Sequence, residues 1–555
     1  MRLNDKINNY DILWKLKKTA QRKQESTFVI KDKNGNDIKE PDEIKDKVSE
    51  HYDNLYTNNE IQEGYREYNE DLEKLIEQCW KMEDELGEEL SLSEELVRQI
   101  IKDLEKHKTP GPDNLTNEMI AEGGNSVKNS VVRMMKIIYR TEELPKDWNT
   151  AFIKNIYKGK GSKKEMGNYR GLILNSHIAK IFEKILAVKE NITLQDMSEY
   201  QCGARKGKSI REHHFTIRNI IEEAKSGKEE ITAVYFDIKK CFDKMVLKEA
   251  MKEMWMKGTK IKHWRLMYEL NSDNTLIPVT DLGECKKIEV KEIIKQGSVL
   301  GSGISALTID SLTRIIEEHG KVWEIGGIKI NPLLFQDDIF AVNKTEDIQE
   351  TISIIETFQN LKRLQFHEEK TKKSIINGKK DKTVYINGIE IERTKSHKYL
   401  GKIIEENGKI KEEIKERIKI AKMQVNQAFQ VIDKNELSRK RIEVGIKLLQ
   451  AVIMPTLIFG AETWNKLTEK EKTEINNVQT TFLSRLLRVP KTTPKCALIH
   501  ETNSTKVEHL ANQRKLEYYI DLHNRKETRL EVRIRKYQEE TNMSYEKEIE
   551  ELKKL

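Results

Sequence analysis

Apolar residues along the chain follow two different periods, and the switches between them divide it into segments. Ile178, Ile181, Phe182, Ile185 and Leu186 recur every three or four positions, the spacing of a helix that buries one face. From Ile231 the rhythm shortens to compact apolar runs: ITAVYFDI at 231–238, IGGIKI at 325–330, PLLFQDDIFAV at 332–342 and TVYINGIEI at 383–391. Bounded by Gly, Asn and charged residues and separated by helical stretches, these runs predict the strands of a small sheet. Helical spacing returns after Gly401 with Ile410, Ile414, Ile418, Ala421, Val425, Ala428 and Ile432. Near the start, Asn34-Gly35-Asn36 between apolar neighbours predicts a hairpin from Ile30 to Ile38. The pattern is that of an α+β protein. Its segments are a helical, acidic N-terminal extension (1–95), a mixed region (96–230), a sheet-bearing centre (231–401), a helical block (402–500) and a charged helical tail (501–555).

A chain of 555 residues exceeds one hydrophobic core, so several subdomains around a shared cleft are expected. The longest apolar stretch, Leu448 to Ala461, is broken by Gln450 and Pro455 and is shorter than the ~18 residues of a membrane span. No membrane partner is expected. The opening MRLNDKINNY lacks an apolar signal core, and Cys79, Cys202, Cys241, Cys285 and Cys496 form no CxxC pair. A reducing, intracellular setting follows, without a disulfide scaffold or zinc finger. Charge is unevenly spread. Residues 60–95 hold 14 acids against three bases and read as a solvent-facing helix, whereas residues 145–213 hold 14 Lys/Arg against seven acids. A basic block of that kind suits a polyanionic partner.

Two acidic sites stand out by their setting. Asp237 ends the apolar run Ile231–Phe236, and the adjacent pair Asp337-Asp338 interrupts another, which predicts a hairpin turn carrying both carboxylates at a sheet edge. Like charges held so close need a compensating cation, and magnesium with its preference for hard oxygen ligands is the natural one. Together the three make a candidate two-metal site for in-line displacement at phosphorus. Gly203-Ala-Arg-Lys-Gly207-Lys208-Ser209 has one residue too few between its glycines for a P-loop, and His367-Glu368 lacks the second His of a zinc hydrolase.

In order, the motifs resemble the reverse transcriptase of non-LTR (LINE-type) retrotransposons. They are Lys108-Thr-Pro-Gly-Pro-Asp113, AFIKNIYKGKG within 149–161, Asn168-Tyr-Arg170, Lys180-Ile-Phe-Glu-Lys184 and Gln201-Cys-Gly-Ala-Arg205-Lys-Gly207-Lys-Ser209. FDIKKCFD (236–243), QGSVLGS (296–302) and FQDD (335–338) follow, then Glu369-Lys370-Thr371, Tyr399-Leu400-Gly401 and Met454–Trp464. The resemblance runs from about 100 to 500 and more weakly from Tyr10. It implies a right-hand polymerase, with fingers over 96–230, palm over 231–401 and thumb and post-thumb over 402–500. It further implies an RNA-directed DNA polymerase that joins dNTPs to a primer 3′-hydroxyl, with two Mg²⁺ (Mn²⁺ as substitute) held by Asp237, Asp337, Asp338 and the carbonyl of Ile238. Lys154, Lys158 and Arg170 would meet the triphosphate, and Phe242 would exclude a ribose 2′-hydroxyl. Gln296 and Gly297 would line the nucleotide pocket, and Lys370 would protonate pyrophosphate. Arg205, Lys206 and Lys208 would contact the RNA template, and Lys411, Lys415, Lys419 and Lys422 the primer duplex.

The sequence departs from the family at Gln336, where a small residue is usual, and at Gly171, Val299, Ser302 and Ala204. No endonuclease motif or C-terminal Cys/His knuckle is recognisable, so the expectation is a truncated element, a polymerase that takes a separate endonuclease as partner for target-primed synthesis, or a domesticated copy. The family implies residence in the nucleus and in cytoplasmic ribonucleoprotein. A domesticated, weakly active or inactive RNA-binding scaffold is the alternative, and Phe242 opposes an RNA-dependent RNA polymerase.

Overall fold

A computed structural model describes residues 29–31, 35–57, 63–83, 91–378, 381–434 and 440–554. Tyr10, Asn34 and parts of the acidic block 60–95 lie outside them. The expected hairpin forms from β1 (Ile30–Lys31) and β2 (Asp37–Ile38), with Ile30 opposite Ile38. Helix α1 (Pro41–Thr57) buries Ile44, Val48, Tyr52, Leu55 and Tyr56, one stripe at helical spacing. That stripe lies on a sheet in which β3 (Thr150–Tyr157) runs between antiparallel β4 (Tyr169–Leu174) and parallel β6 (Ser272–Thr280), the latter flanked by β7 (Ile288–Glu292). Strand alternation sends Ala151 and Ile153 to α1 and leaves Lys154 and Lys158 on the opposite, exposed face. A Cβ at Gly171 would stand 2.7 Å from Tyr52 Cε1, so this departure from the family makes room for α1.

The described part of the acidic segment keeps its acids exposed, as expected of a solvent-facing helix, and adds a buried apolar stripe on its other side. Helix α2 (Arg66–Lys81) buries Leu72, Ile76 and Cys79, and Trp80 meets Trp264 and Tyr268 edge-on. Of these exposed acids, Glu73 takes Lys248 at 2.5 Å. Helix α3 (His177–Lys189), capped by Ser176 Oγ, buries the apolar stripe read from sequence. Helix α4 (Ile210–Ser226) opens with a Ser209/Glu212 capping box and is buried along most of its length.

Strand β5 (Ile231–Phe236) is buried on both faces. Val234 and Phe236 pack with α5 (Leu247–Met256), α7 (Gly301–His319) and α8 (Ile348–Leu361), whereas Ala233 and Tyr235 face the core that holds α4. Helix α6 (Ile261–Glu269) lies on the first of these cores through Trp264 and Met267. The sheet order is β8 (Leu333–Phe335), β9 (Asp338–Lys344), β5, β10 (Lys372–Ile376), β11 (Glu392–Arg393). This sheet lies within the 231–401 segment expected to be the palm, whereas the β3/β4/β6 sheet joins strands of the 96–230 segment to β6 and β7 of the 231–401 segment, so the two segments are not separate bodies. The hairpin β12 (Ser396–Tyr399) and β13 (Lys402–Glu405) turns at Leu400-Gly401, both at positive φ as a type I′ turn requires.

The thumb packs α9 (Lys411–Lys434), α10 (Arg441–Leu448) and α11 (Glu469–Leu487) around Ile414, Phe429, Ile453, Leu457 and Phe482. Read together with the turns that follow α10, the helical run Arg441–Thr463 spans 23 residues and is apolar enough to cross a membrane, longer than the stretch read from sequence. Half of its apolar window is spent inside this core.

The last helices correct an expectation. Their composition predicts a charged tail, yet α12 (Val507–His523), α13 (Leu530–Thr541) and α14 (Ser544–Lys553) send Tyr518, Leu522, Ile534, Tyr545 and Ile549 into the core beside Phe215 and Trp323. Their charges also turn inward. Arg525 binds Glu212 at 2.5 Å and Glu531 at 2.9 Å, and Lys515 binds Glu548 at 2.5 Å.

Candidate active site

Strands β8 and β9 pair with Phe335 opposite Asp338, leaving Gln336-Asp337 as a two-residue turn. Across β9 and β5 the register is Ile339↔Phe236, so one step further Asp338 comes alongside Asp237. Ile238 anchors that end, its side chain buried and its backbone bridged to Phe366, while Asp237 O accepts a hydrogen bond from His367 N at 2.7 Å. Strand-end acids 100 residues apart in sequence thus gather at one sheet edge. Burial pushes the Asp338 carboxyl up to about 6, with the negative charges of Asp337 and Asp237 adding to it. Asp337 rises for the same two reasons, burial first and then Asp237, and is opposed by Arg170. Lys370 Nζ stands 3.4 Å from Asp237 Oδ1. Among the described residues, no three acidic, His or Cys side chains are drawn close enough together to enclose a metal ion. Gln336 adopts φ +56, and its Cγ lies 2.7 Å from where a Cβ on Gly203 would be, so the long side chain lies over Gly203.

Opposite the carboxylates stands the exposed face of β3 and β4. Ile156 pairs with Arg170, so Lys154, Lys158 and Arg170 share that face. Burial, then the charges of Lys240, Arg170 and Lys370, hold the Lys158 ammonium below its usual range, and Asp243 partly offsets them. Lys154 is drawn toward Asp281 at 3.8 Å. Gln296 O accepts from Ile173 N at 2.8 Å, and Gly297, at φ +122, passes so close that a Cβ would stand 2.4 Å from Ile173 O. Only glycine fits there. Phe242 is half-buried in the helical turn Cys241–Lys244, directly after the Asp237 strand end.

Two residues that sequence reasoning passed over hold this constellation. Glu183, from the Lys180–Lys184 motif, accepts a hydrogen bond from Val299 N at 2.7 Å and so fixes the Gln296–Ser302 loop. Gln201 accepts one from Gln336 N at 3.0 Å. An acid set between Phe182 and Ile185 on the apolar stripe is the sequence signal that was available for Glu183, whose side chain the fold buries.

Residues 160–404 match the family described as reverse transcriptase (RNA-dependent DNA polymerase). The chain carries a reverse-transcriptase domain. It is 21% identical over 519 residues to the RNA-directed DNA polymerase from mobile element jockey of Drosophila melanogaster, a match covering 88% of this chain and 53% of that protein. It is 25% identical over 242 residues to a probable RNA-directed DNA polymerase from transposon BS of the same fly, covering 42% of this chain and 26% of the relative. The chain thus spans about half or less of the length of these relatives. Telomerase from Candida albicans, solved with a fragment of telomeric RNA, aligns at TM-score 0.33 and 11% identity over 72% of this chain and 66% of that one, a likeness too slight to bear on the assignment.

The basic residues expected on nucleic acid divide into two groups. Arg205 and Lys208 are corrected. The Arg205 guanidinium donates to the carbonyls of Ser198, Gln201 and Gln195, and Lys208 is buried with its Nζ 3.4 Å from Glu531. Charges committed to internal partners do not reach a template. Lys206 remains exposed, as do Lys411, Lys415, Lys419 and Lys422. Of the last four, Lys415, Lys419 and Lys422 line a groove of about 840 Å³ between α9 and α11, with Asn477, Thr481 and Arg485 on its other wall. Lys411 lies outside it.

Proposed function

We propose that this protein is an RNA-directed DNA polymerase that extends a DNA primer on an RNA template. The observation that carries the reading is the register that brings Asp237, Asp337 and Asp338 to one sheet edge, facing the cationic surface of Lys158 and Arg170. Three mutually repelling carboxylates offer the hard oxygen donors that magnesium takes, with manganese as substitute, and the Ile238 carbonyl completes the set. A pair of such ions, when bound, acidifies the primer hydroxyl and neutralises the triphosphate.

The chain's own residues do the rest. The Arg170 guanidinium suits a phosphate fork, and Lys158 adds a point charge on the same face. Lys154 reaches this face only by leaving Asp281. The Gln296–Gly297 backbone, pressed against β4, forms the pocket floor, and Phe242 occupies the space a ribose 2′-hydroxyl would need. Lys370, now beside Asp237, is released toward the pyrophosphate once that carboxylate turns to a cation. Lys206 contacts the template and the thumb groove takes the primer duplex through phosphates. Target-primed synthesis with a separate endonuclease, in a nuclear and cytoplasmic ribonucleoprotein, is the setting we infer.

Primer extension on an RNA template with dNTPs and Mg²⁺ tests this directly. Wild-type extension that disappears in Asp337→Ala/Asp338→Ala is the expected result. RNA binding without any extension would instead favour a non-catalytic scaffold.

A further inference from the structure

The segment around Gln201 stands out in the sequence for its basic side chains, yet its contacts run inward to the turn that carries Asp337 and Asp338. Gln201 is fully buried. Its Oε1 accepts from Gln336 N at 3.0 Å and from Gly203 N at 2.9 Å, while Nε2 donates to Ala306 O in α7 at 3.3 Å. The backbone beside it forms a parallel edge to β8, with Cys202 N donating to Leu334 O at 2.8 Å and Leu334 N to Tyr200 O at 3.0 Å.

The seat of this segment is itself held from behind. Asp310 in α7 accepts from Ser198 N at 2.8 Å and from Ser198 Oγ at 2.5 Å. Arg205 clamps the Ser198 and Gln201 carbonyls. Gly203 has no room for a side chain, because a Cβ there would stand 2.3 Å from Gln336 N. The turn being held is strained, since Gln336 is a non-glycine residue at φ +56. Fixing the amide that precedes this φ fixes the direction in which the next two side chains leave the hairpin.

We propose that Gln201 is a positioning residue for the catalytic turn. Its amide oxygen holds the strained Gln336 peptide, and through it aims the Asp337 and Asp338 carboxylates at their cation. The inference rests on the reading of those carboxylates as the cation site. It gives the Gln-x-Gly-x-Arg spacing of 201–205 one function: an acceptor for the turn, a gap against which the turn packs, and a guanidinium that keeps the acceptor in place.

The test is Mn²⁺ binding to the metal-free protein, followed by electron paramagnetic resonance beside a thermal melt, with Asp337→Ala defining the site. Gln201→Met keeps the side-chain length and removes the acceptor. It is expected to weaken Mn²⁺ binding about tenfold, the loss of one net hydrogen bond. Adding Gln336→Gly, which takes the same φ without strain, is expected to restore most of that affinity. A packing defect alone would lower the melting temperature of Gln201→Met and show no such recovery, and that outcome overturns the brace. Gly203→Ala presses on the same Gln336 amide, so the brace remains testable if Gln201→Met fails to fold. Unchanged Mn²⁺ affinity in both variants also overturns it. A wild type that binds Mn²⁺ through Asp337 while the variants match it sinks the brace and leaves the polymerase reading standing. A wild type with no Asp337-dependent binding sinks both.

Discussion

Phe242 lies five residues after Asp237, across the turn at Lys239-Lys240. Replacing Phe242 by Ala opens the pocket wall without touching a carboxylate. Incorporation of ribonucleotides relative to dNTPs, read as the ratio of kcat/KM values, is expected to rise at least ~10-fold, the scale on which a pocket discriminates by shape. An unchanged ratio would remove Phe242 from the gate. At this scale the acids were the most legible part of the sequence. An Asp that ends a strand buried on both faces, and an Asp pair in the middle of an apolar run, have no comfortable place unless the chain uses them. Arg205 and Lys208 were legible only as charges. What decides their role is a set of backbone carbonyls and Glu531, and no local pattern reveals a partner so far along the chain.

Among elements, α9 and α4 lead to different measurements. On α9, Lys415, Lys419 and Lys422 project into the groove shared with α11, and the helix core behind them is intact without their charges. Lys419→Ala with Lys422→Ala is expected to weaken binding of an RNA–DNA duplex and to lower the log–log salt slope by about 0.7–0.9 for each phosphate left without its lysine. A slope that does not move would return these lysines to the solvated surface.

Helix α4 carries His213, buried, bonded to Tyr399 Oη at 3.0 Å and to Tyr200 O at 3.2 Å. Burial pushes its imidazole down to about 4 from the usual 6.5. Between those values the unfolded chain takes up a proton and the folded one does not. The group's contribution is therefore complete above pH 6.5 and is lost as pH falls toward 4, amounting to about 3 kcal/mol at most. Melting temperatures from pH 7.5 to 4.5 should show a flatter acid slope for His213→Gln than for wild type, and parallel slopes would refute the assignment. The strands and the helices with clear periodicity were readable from apolar spacing. The packing of α2 was not, because its abundant acids mask an apolar stripe whose partners lie on α5 and α6.

At the scale of the whole molecule, the charge pattern is best understood as internal. Glu73 of the N-terminal segment meets Lys248, and Arg525 and Arg533 near the end of the chain meet Glu212 and Glu199, so part of the charge counted from sequence holds one segment to another. The final helices share the palm core through Tyr545, which packs edge-on with Phe215 at 5.2 Å and lies under Arg218 at 4.7 Å. Tyr545→Ala is expected to destabilise the protein by about 3–5 kcal/mol, the range for a buried aromatic cut to a methyl, measured as a lower urea midpoint. A midpoint within error of wild type would make the last helices dispensable.

Their place in the core also sets a clock. Lys208 and Glu531 are 323 positions apart. At ~5–20 residues per second, a ribosome finishing one after the other leaves the loop beside the carboxylate turn open for roughly 15–60 s. For the later part of that interval, once Asp338 has been made, the nascent chain holds all three acids but lacks the wall behind the strap. The packing behind the strap is therefore completed only after these helices have been made.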